Sequence, residues 1–177
     1  MRIIAAHKYV SPRHRPLIAE EAEVRRLAYA LKVPTPEACE TAARDLAPLL
    51  DAAEDAETHI VLMPVPASTG SMDANRQLAN ELAAEMHRQF PARRVQVKLT
   101  VGRQHPVESS CARRRRGERG LRTDEHAFIR VAGPLTATGT AYYFIDNVAT
   151  TGATLAACRA ALGFGDGIVF ADAGHLF

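Results

Sequence analysis

The spacing of apolar residues along the 177-residue chain alternates between two periods. Short apolar runs and segments of alternating polarity predict strands at residues 2–10, 59–65, 95–101, 126–131, 141–145 and 168–171. Apolar residues spaced three and four apart predict helices at residues 20–31, 36–50, 73–90 and 152–162. Strands that alternate with helices are typical of an α/β fold, so we expect a largely parallel central sheet flanked by helices.

The second predicted helix has the clearest start signal. Thr35 offers a capping hydroxyl, and Pro36 suits the first helical position. We expect Pro48 to kink or shorten this helix, because proline removes a backbone donor and crowds the preceding turn.

Three loops of the predicted sheet deserve most weight, since ligands of α/β sheets bind at the carboxyl ends of the strands. The loops after Val65 and Ile145 are rich in hydroxyl groups and glycine, and the loop after Val101 is rich in arginine. This convergence predicts an anionic ligand that carries phosphate.

Composition places the chain among ordinary globular proteins. Its length suits a single domain over residues 1–177, with 47% hydrophobic and 24% charged residues. No apolar run approaches the roughly 20 residues of a membrane helix, and His7 and Lys8 interrupt the apolar start. We therefore expect a cytoplasmic protein without a membrane partner. The three cysteines are far apart and form no CxxC pair, which argues against a zinc site or a disulfide framework.

The net charge of +2 is small, but basic residues are concentrated at positions 102–122. This arginine-rich segment carries seven arginines against two glutamates. One interpretation is a solvated or nucleic-acid-binding surface, and the other is a flexible loop that closes over a polyanion. Aromatic residues make up 6% of the chain and none lies between these arginines, so base stacking there has little support.

Residues 141–154, AYYFIDNVATTGAT, are the most informative stretch. An apolar strand leads to Asp146, and a Thr-Thr-Gly loop (residues 150–152) then begins a helix. Backbone N–H groups at a helix N-terminus form an anion site, and Gly152 lets the backbone approach a ligand closely. Asp146 suits the hydroxyls of a sugar held beside its own phosphate. The alternative is that Asp146 and Thr150 only cap the helix. The stretch contains neither GK[ST] nor GxGxxG.

This stretch resembles the signature of type I phosphoribosyltransferases, which bind 5-phosphoribosyl-1-pyrophosphate (PRPP). The resemblance implies that Asp146 contacts the ribose hydroxyls and that the loop wraps the 5-phosphate. The implied ribose-phosphate site comprises Asp146, Asn147, Ala149, Thr150, Thr151, Gly152, Ala153 and Thr154. Asn147 stands where the family usually has a second acid. It can bond a ribose hydroxyl but brings no charge to stabilise a cationic ribose or to assist Mg²⁺.

A second resemblance runs from about Thr58 to the C-terminus. Met63-Pro64-Val65-Pro66 and Asn75-x-Gln77-Leu78-Ala79 look like the competence-protein F type of phosphoribosyltransferase, without its zinc ribbon. The arginine-rich segment then takes the place of the family's flexible loop, and residues 1–57 stay unassigned apart from a helix. The implied pyrophosphate loop comprises Pro66, Ala67, Ser68, Thr69 and Gly70; an ordinary polar turn is the alternative.

The resemblance implies an enzyme that displaces pyrophosphate from PRPP with a nitrogenous acceptor. Asp146, Asn147 and Arg103 would be catalytic, and Arg103, Arg116 and Arg119 would clamp the pyrophosphate. Mg²⁺ is the expected cofactor, held mainly by PRPP and otherwise by Asp146, with no metal site of the protein's own. A homodimer is expected for the fold.

Two other functions stay open: a PRPP- or nucleotide-sensing protein without transferase activity, and a nucleic-acid-binding protein that uses the arginine-rich segment. The acceptor is not identified by any motif. Asp172, His175 and His105 lie where they could approach a base, and Cys111 is a candidate reactive thiol if nearby arginines lower its pKa.

Overall fold

The computed structural model describes residues 1–12, 15–131 and 138–174, with only the backbone described at Cys111. The strands are β1 (Ile3–Lys8), β2 (His59–Pro64), β3 (Val95–Val97), β4 (Val101–Arg103), β5 (Phe128–Arg130), β6 (Thr140–Ala149) and β7 (Asp166–Asp172). The helices are α1 (Ala19–Ala30), α2 (Pro36–Ala52), α3 (Asp73–Gln89), α4 (Ser110–Arg115) and α5 (Ala153–Leu162), with a 3₁₀ helix at Thr123–His126.

Five parallel strands form the central sheet in the order β1-β7-β6-β2-β3, which confirms the predicted α/β fold. The middle strand β6 pairs with β2 on one side and β7 on the other. Buried side chains on both faces explain why β2 is apolar from Ile60 to Pro64 rather than alternating.

Helices cover both faces of the sheet. On one face, α1, α2 and α3 pack over residues that include Ile60 and Tyr143. On the other face, Leu155 and Cys158 of α5 pack against Val61 and other buried residues. The loops and the N-termini of the helices that follow the strands lie at one edge of the sheet, formed by the carboxyl ends of the strands.

The N-terminal residues that the sequence left unassigned contribute to the sheet. β1 lies beside the last strand, β7, with Ile3 opposite Gly167 and Lys8 opposite Asp172. Two helices, α1 and α2, then return the chain to β2. The first and last strands, β1 and β7, therefore pair with each other at one side of the sheet, with β1 as the edge strand.

Helix α2 begins as predicted but does not end at Pro48. Thr35 Oγ1 accepts the Ala38 N–H at 3.3 Å, and the helix continues through Pro48 to Ala52. Pro48 lies on the exposed side of the helix, where water can satisfy the carbonyl that loses its N–H partner. The expected shortening was wrong for that reason.

The single strand predicted at residues 95–101 is in fact two strands in different sheets. β3 pairs with β2 in the central sheet, whereas β4 pairs with β5 in an antiparallel ribbon. Polar and apolar residues alternate from β3 into β4 without interruption, so the sequence pattern alone does not reveal that the chain passes from one sheet to another. β5 is also shorter than predicted because Ala127, with φ of 49°, separates it from the 3₁₀ helix.

No helix within residues 1–12, 15–131 and 138–174 is both long enough and apolar enough to cross a bilayer.

Candidate functional site

The strand that carries Asp146 is longer than predicted. β6 continues to Ala149, because its neighbour β7 keeps pairing with it as far as Ala149 opposite Asp172. Asp146 and Asn147 therefore lie in the last four residues of β6, and pairing within the sheet fixes their backbone.

Asp146 is held by two donors. Its Oδ1 accepts the Asn147 N–H at 2.8 Å and the Asn75 side-chain amide at 3.2 Å. Asn75 is buried in the first turn of α3 and also donates to the Val65 carbonyl at 2.8 Å. Asn75 was not among the predicted site residues; its place in the Asn75-x-Gln77 motif was the signal that could have found it.

Desolvation dominates the electrostatics of Asp146. The side chain keeps some exposed surface, but the protein packed around the carboxyl raises its pKa to about 6. The two donors and the charges of Lys32 and Arg103 act in the opposite direction. Oδ2 accepts no hydrogen bond from the residues that the structure describes. One oxygen of a desolvated carboxylate is therefore free to meet a cation or a hydroxyl.

Asn147 is partly engaged by its own backbone. Its side-chain oxygen accepts the Val148 N–H at 2.9 Å. The amide nitrogen remains the group that can donate to a ligand.

The Thr-Thr-Gly loop forms the start of α5 as predicted. Gly152 has φ of 68°, a left-handed conformation that favours glycine, and directly precedes the helix. The Ala153 N–H approaches Thr151 Oγ1 at 3.4 Å. The N–H groups of Thr154 and Leu155 have no partner within the helix, because they lie in its first turn. These groups and the positive end of the helix dipole can bind an anion.

A cleft of about 400 Å³ separates this loop from the arginine-rich segment. Its lining residues are Arg114, Gly120, Leu121, Arg122, Thr123, Asp124, Thr151 and Ala153. Arg114 Nη1 lies 3.5 Å from Thr150 Oγ1, so it is the arginine that spans the cleft. The sequence did not single out Arg114, because it stands in a run of four arginines with nothing to distinguish it.

Arg116 and Arg119, which were predicted to clamp pyrophosphate, are placed elsewhere. Arg116 is paired with Glu108, at 2.7 Å for Nη2–Oε2, and with Glu118 at 2.8 Å. Arg119 Nη2 donates to Glu125 at 3.0 Å. Both side chains are exposed, and neither lines the cleft.

The Pro66–Gly70 loop follows β2 at the same sheet edge. It folds into a tight turn in which Gly70 N–H donates to the Ala67 carbonyl at 3.0 Å and Gly70 has φ of 93°. Pro66 is buried, and the exposed Thr69 is held at 3.4 Å from the Ser71 N–H. The Ser68 carbonyl accepts the Val107 N–H at 2.9 Å, which connects the loop to the arginine-rich segment.

Arg103 contacts backbone at this junction. Its Nε donates to the Ala67 carbonyl at 2.7 Å, and its Nη1 donates to the His126 carbonyl. The guanidinium lies 4.3 Å from the centre of the Phe128 ring, and burial lowers its pKa. Arg103 therefore holds two loops together in this structure.

The candidate acceptor-binding residues show no common site. Asp172 is buried and its Oδ2 accepts the Gly174 N–H at 2.9 Å, whereas His105 is exposed. His175 and the side chain of Cys111 lie outside the described residues. Across the part of the chain that the structure describes, no group of three or more His, Cys, Asp or Glu side chains is placed to hold a metal ion.

No known protein-family model matches the chain. No curated protein sequence matches it significantly.

Proposed function

We propose that this chain is a phosphoribosyltransferase that binds PRPP with Mg²⁺ and transfers phosphoribose to a nitrogenous acceptor, releasing pyrophosphate. One arrangement carries the proposal: the Thr-Thr-Gly helix start and Arg114 face each other across one cleft, and the desolvated Asp146 lies near the end of the strand that leads into that loop. The cleft volume of about 400 Å³ is within the range of small-molecule sites.

The first turn of α5 is the proposed site of the 5-phosphate. Its free N–H groups, the hydroxyls of Thr150, Thr151 and Thr154, and the helix dipole all favour a bound anion. Gly152 allows the left-handed turn, with φ of 68°, that directs the backbone into the helix. Arg114 supplies a charge-assisted donor from the other side of the cleft.

Asp146 is the proposed contact for the ribose hydroxyls and the protein's contribution to Mg²⁺ binding. Carboxylate and amide oxygens are hard ligands that suit Mg²⁺, and Asp146 Oδ2 has no competing donor among the described residues. Without a cluster of acids in the described chain, most ligands of the ion would come from PRPP. Bound Mg²⁺ would neutralise pyrophosphate charge.

The residues of the chain would act by position and charge rather than as nucleophiles. Displacement at C1 makes the ribose cationic while pyrophosphate leaves as an anion. Asp146 would stabilise the ribose side, and Arg114 with backbone N–H groups would hold the phosphates. Asn147 would orient a hydroxyl without adding charge.

Calorimetric titration of PRPP with Mg²⁺ tests the proposal. The unaltered protein is expected to bind, and Asp146→Ala and Thr151→Ala are each expected to lose at least about tenfold in affinity. Thr138→Ala is the matched control, since this exposed threonine lies before β6 at the opposite sheet edge.

The outcomes separate the competing functions. Binding followed by pyrophosphate release with one of a panel of nucleobases supports the transferase. Binding without release supports a PRPP-sensing protein, for which Asn147 is the motivating residue. Absence of PRPP binding by a folded protein contradicts both, and salt-dependent binding of single-stranded nucleic acid would then favour the third function.

A further inference from the structure

His126 is the most unusual buried group of the described chain. It is 3% exposed, yet neither ring nitrogen has a hydrogen-bond partner among the described residues. A buried polar group without a partner costs free energy, so its retention calls for an explanation. Because both nitrogens are unpaired, the choice of ring orientation does not alter this observation.

His126 lies at a strained junction between the arginine-rich segment and β5. Its ring stacks on Phe128, with centroids 5.5 Å apart and planes at 19°. The next residue, Ala127, is the non-glycine residue with positive φ in the described chain, at 49°. A left-handed alanine is held there only if its surroundings enforce it.

The same junction seats Arg103. The His126 carbonyl accepts Arg103 Nη1, and the Phe128 ring lies under the guanidinium at 4.3 Å. Arg103 in turn holds the Ala67 carbonyl of the Pro66–Gly70 loop at 2.7 Å. His126, Phe128 and Arg103 therefore form one stack that ends on the loop after β2.

We propose that His126 is a positioning residue that seats Arg103, and that Arg103 holds the Pro66–Gly70 loop against the base of the arginine-rich segment only while the His126 ring is neutral. Protonation adds a charge beside Arg103 in a space without an acceptor, so the stack separates and the loop is released. The consequence for ligand binding rests on the proposed function, but the contact itself does not.

The charged groups around His126 agree with this behaviour. Arg103 of β4 disfavours the imidazolium, whereas Glu125, on the same 3₁₀ helix, favours it. Arg113 of α4 is paired with Glu125 at 3.4 Å, and Cys158 of α5 lies near Arg103 as a thiol whose pKa burial raises. Burial, followed by Arg103, lowers the pKa of His126 from 6.5 to about 4. The closed junction is therefore fully stable above about pH 6.5 and weakens as pH falls towards 4.

Amide hydrogen exchange without any ligand tests this pH dependence. The reporters are the Val107 N–H, which donates to Ser68, and the Ala67 N–H, which donates to Ser71. After correction for intrinsic exchange, their protection is expected to fall about thirtyfold between about pH 7.5 and about pH 5. Unchanged protection in β2 over the same range would show that the opening is local.

Substitutions distinguish the contribution of His126 from that of Arg103. His126→Phe preserves the stack and loses no hydrogen bond. In this variant the protection of the two reporter amides is therefore expected to be independent of pH. His105→Phe, the matched change at an exposed histidine of the same segment, is expected to behave like the unaltered protein. Arg103→Lys cannot span both carbonyls and is expected to lose about tenfold in protection at every pH.

Three results would overturn the proposal: constant protection in the unaltered protein, an undiminished pH response in His126→Phe, or full protection in Arg103→Lys. If His126→Phe does not fold, the pH response of the unaltered protein and the Arg103→Lys result decide together. PRPP is absent from the experiment, so a failure of the proposed function would not alter its outcome.

Discussion

Asp146 and Glu125 are carboxylates in the two regions that border the cleft. Asp146 lies on the strand that leads into the Thr-Thr-Gly loop, and Glu125 lies in the 3₁₀ helix that follows the arginine-rich segment. Desolvation raises the pKa of Asp146 to about 6, and one of its oxygens has no donor among the described residues. Arg119 and the Arg122 N–H instead hold the pKa of Glu125 at about 2. The loop side keeps its polar groups available, whereas the arginine side satisfies most of its charges internally.

This difference indicates which side of the cleft would contribute more to the binding free energy of a ligand. A phosphate at the loop side meets N–H groups that have no partner among the described residues, and Mg²⁺ meets a desolvated carboxylate. On the other side, Arg116 and Arg119 would first have to leave their glutamates. We therefore expect ligand binding to depend strongly on the loop and on Arg114, and weakly on the paired arginines.

The largest expected effect is a gain of stability on removing the charge of Asp146. A carboxyl whose pKa rises on folding, from 3.8 to about 6, destabilises the fold increasingly as pH rises through that range. Asp146→Asn is therefore expected to raise the free energy of unfolding by about 3 kcal/mol at neutral pH and by only about 0.5 kcal/mol near pH 4. Urea unfolding at both pH values measures it.

Glu57→Gln is the control for this prediction, since it removes an exposed charge before β2. The same Asp146→Asn protein is expected to bind PRPP with Mg²⁺ more weakly. A loss of stability at neutral pH would contradict the desolvated state of Asp146.

The next effect distinguishes neighbouring arginines. Arg114→Ala removes the donor that spans the cleft and is expected to weaken PRPP binding by about tenfold or more. Arg116→Ala removes an exposed, paired guanidinium and is expected to change the affinity by less than about twofold. Calorimetry on the two variants measures the contrast, and equal effects would place the ligand elsewhere along the segment.

A third effect compares the two ends of α5. Gly152 and Gly163 both have positive φ, at 68° and 89°, so alanine is strained at either position. Each substitution is expected to lower the free energy of unfolding by about 1 kcal/mol. Only Gly152→Ala is expected to weaken PRPP binding, by about tenfold, because strain at this left-handed position displaces the Thr-Thr-Gly loop and the helix N-terminus that are proposed to hold the phosphate. Equal affinities would argue against a phosphate at the helix start.

The smallest effect tests the internal pairing of the arginine-rich segment. Glu108→Gln releases Arg116 from its main partner. Because exposed ion pairs contribute little, PRPP affinity is expected to change by less than about twofold at moderate salt. A larger gain, measured by calorimetry, would show that pairing with Glu108 competes with the ligand.

The sequence predicted the parts of the site that depend on local order. One continuous stretch of sequence contains an apolar strand, an acid, Thr-Thr-Gly and a helix, and the structure has these features in the same order. Asn75 and Arg114 were missed, because their contacts join residues 71 and 36 positions apart. The short helix α4 was missed too; it carries Arg113, Arg114 and Arg115 and lies between Pro106 and Gly117.

Amide hydrogen exchange with and without PRPP and Mg²⁺ tests the location of the ligand most directly. The account predicts slower exchange at Thr154 and Leu155 in the first turn of α5. It predicts no change around the second cavity, of about 370 Å³, which Glu54, Tyr142, Phe164 and Asp166 help to line at the amino ends of β6 and β7. Protection at that second cavity, or no protection at the start of α5, would contradict the account.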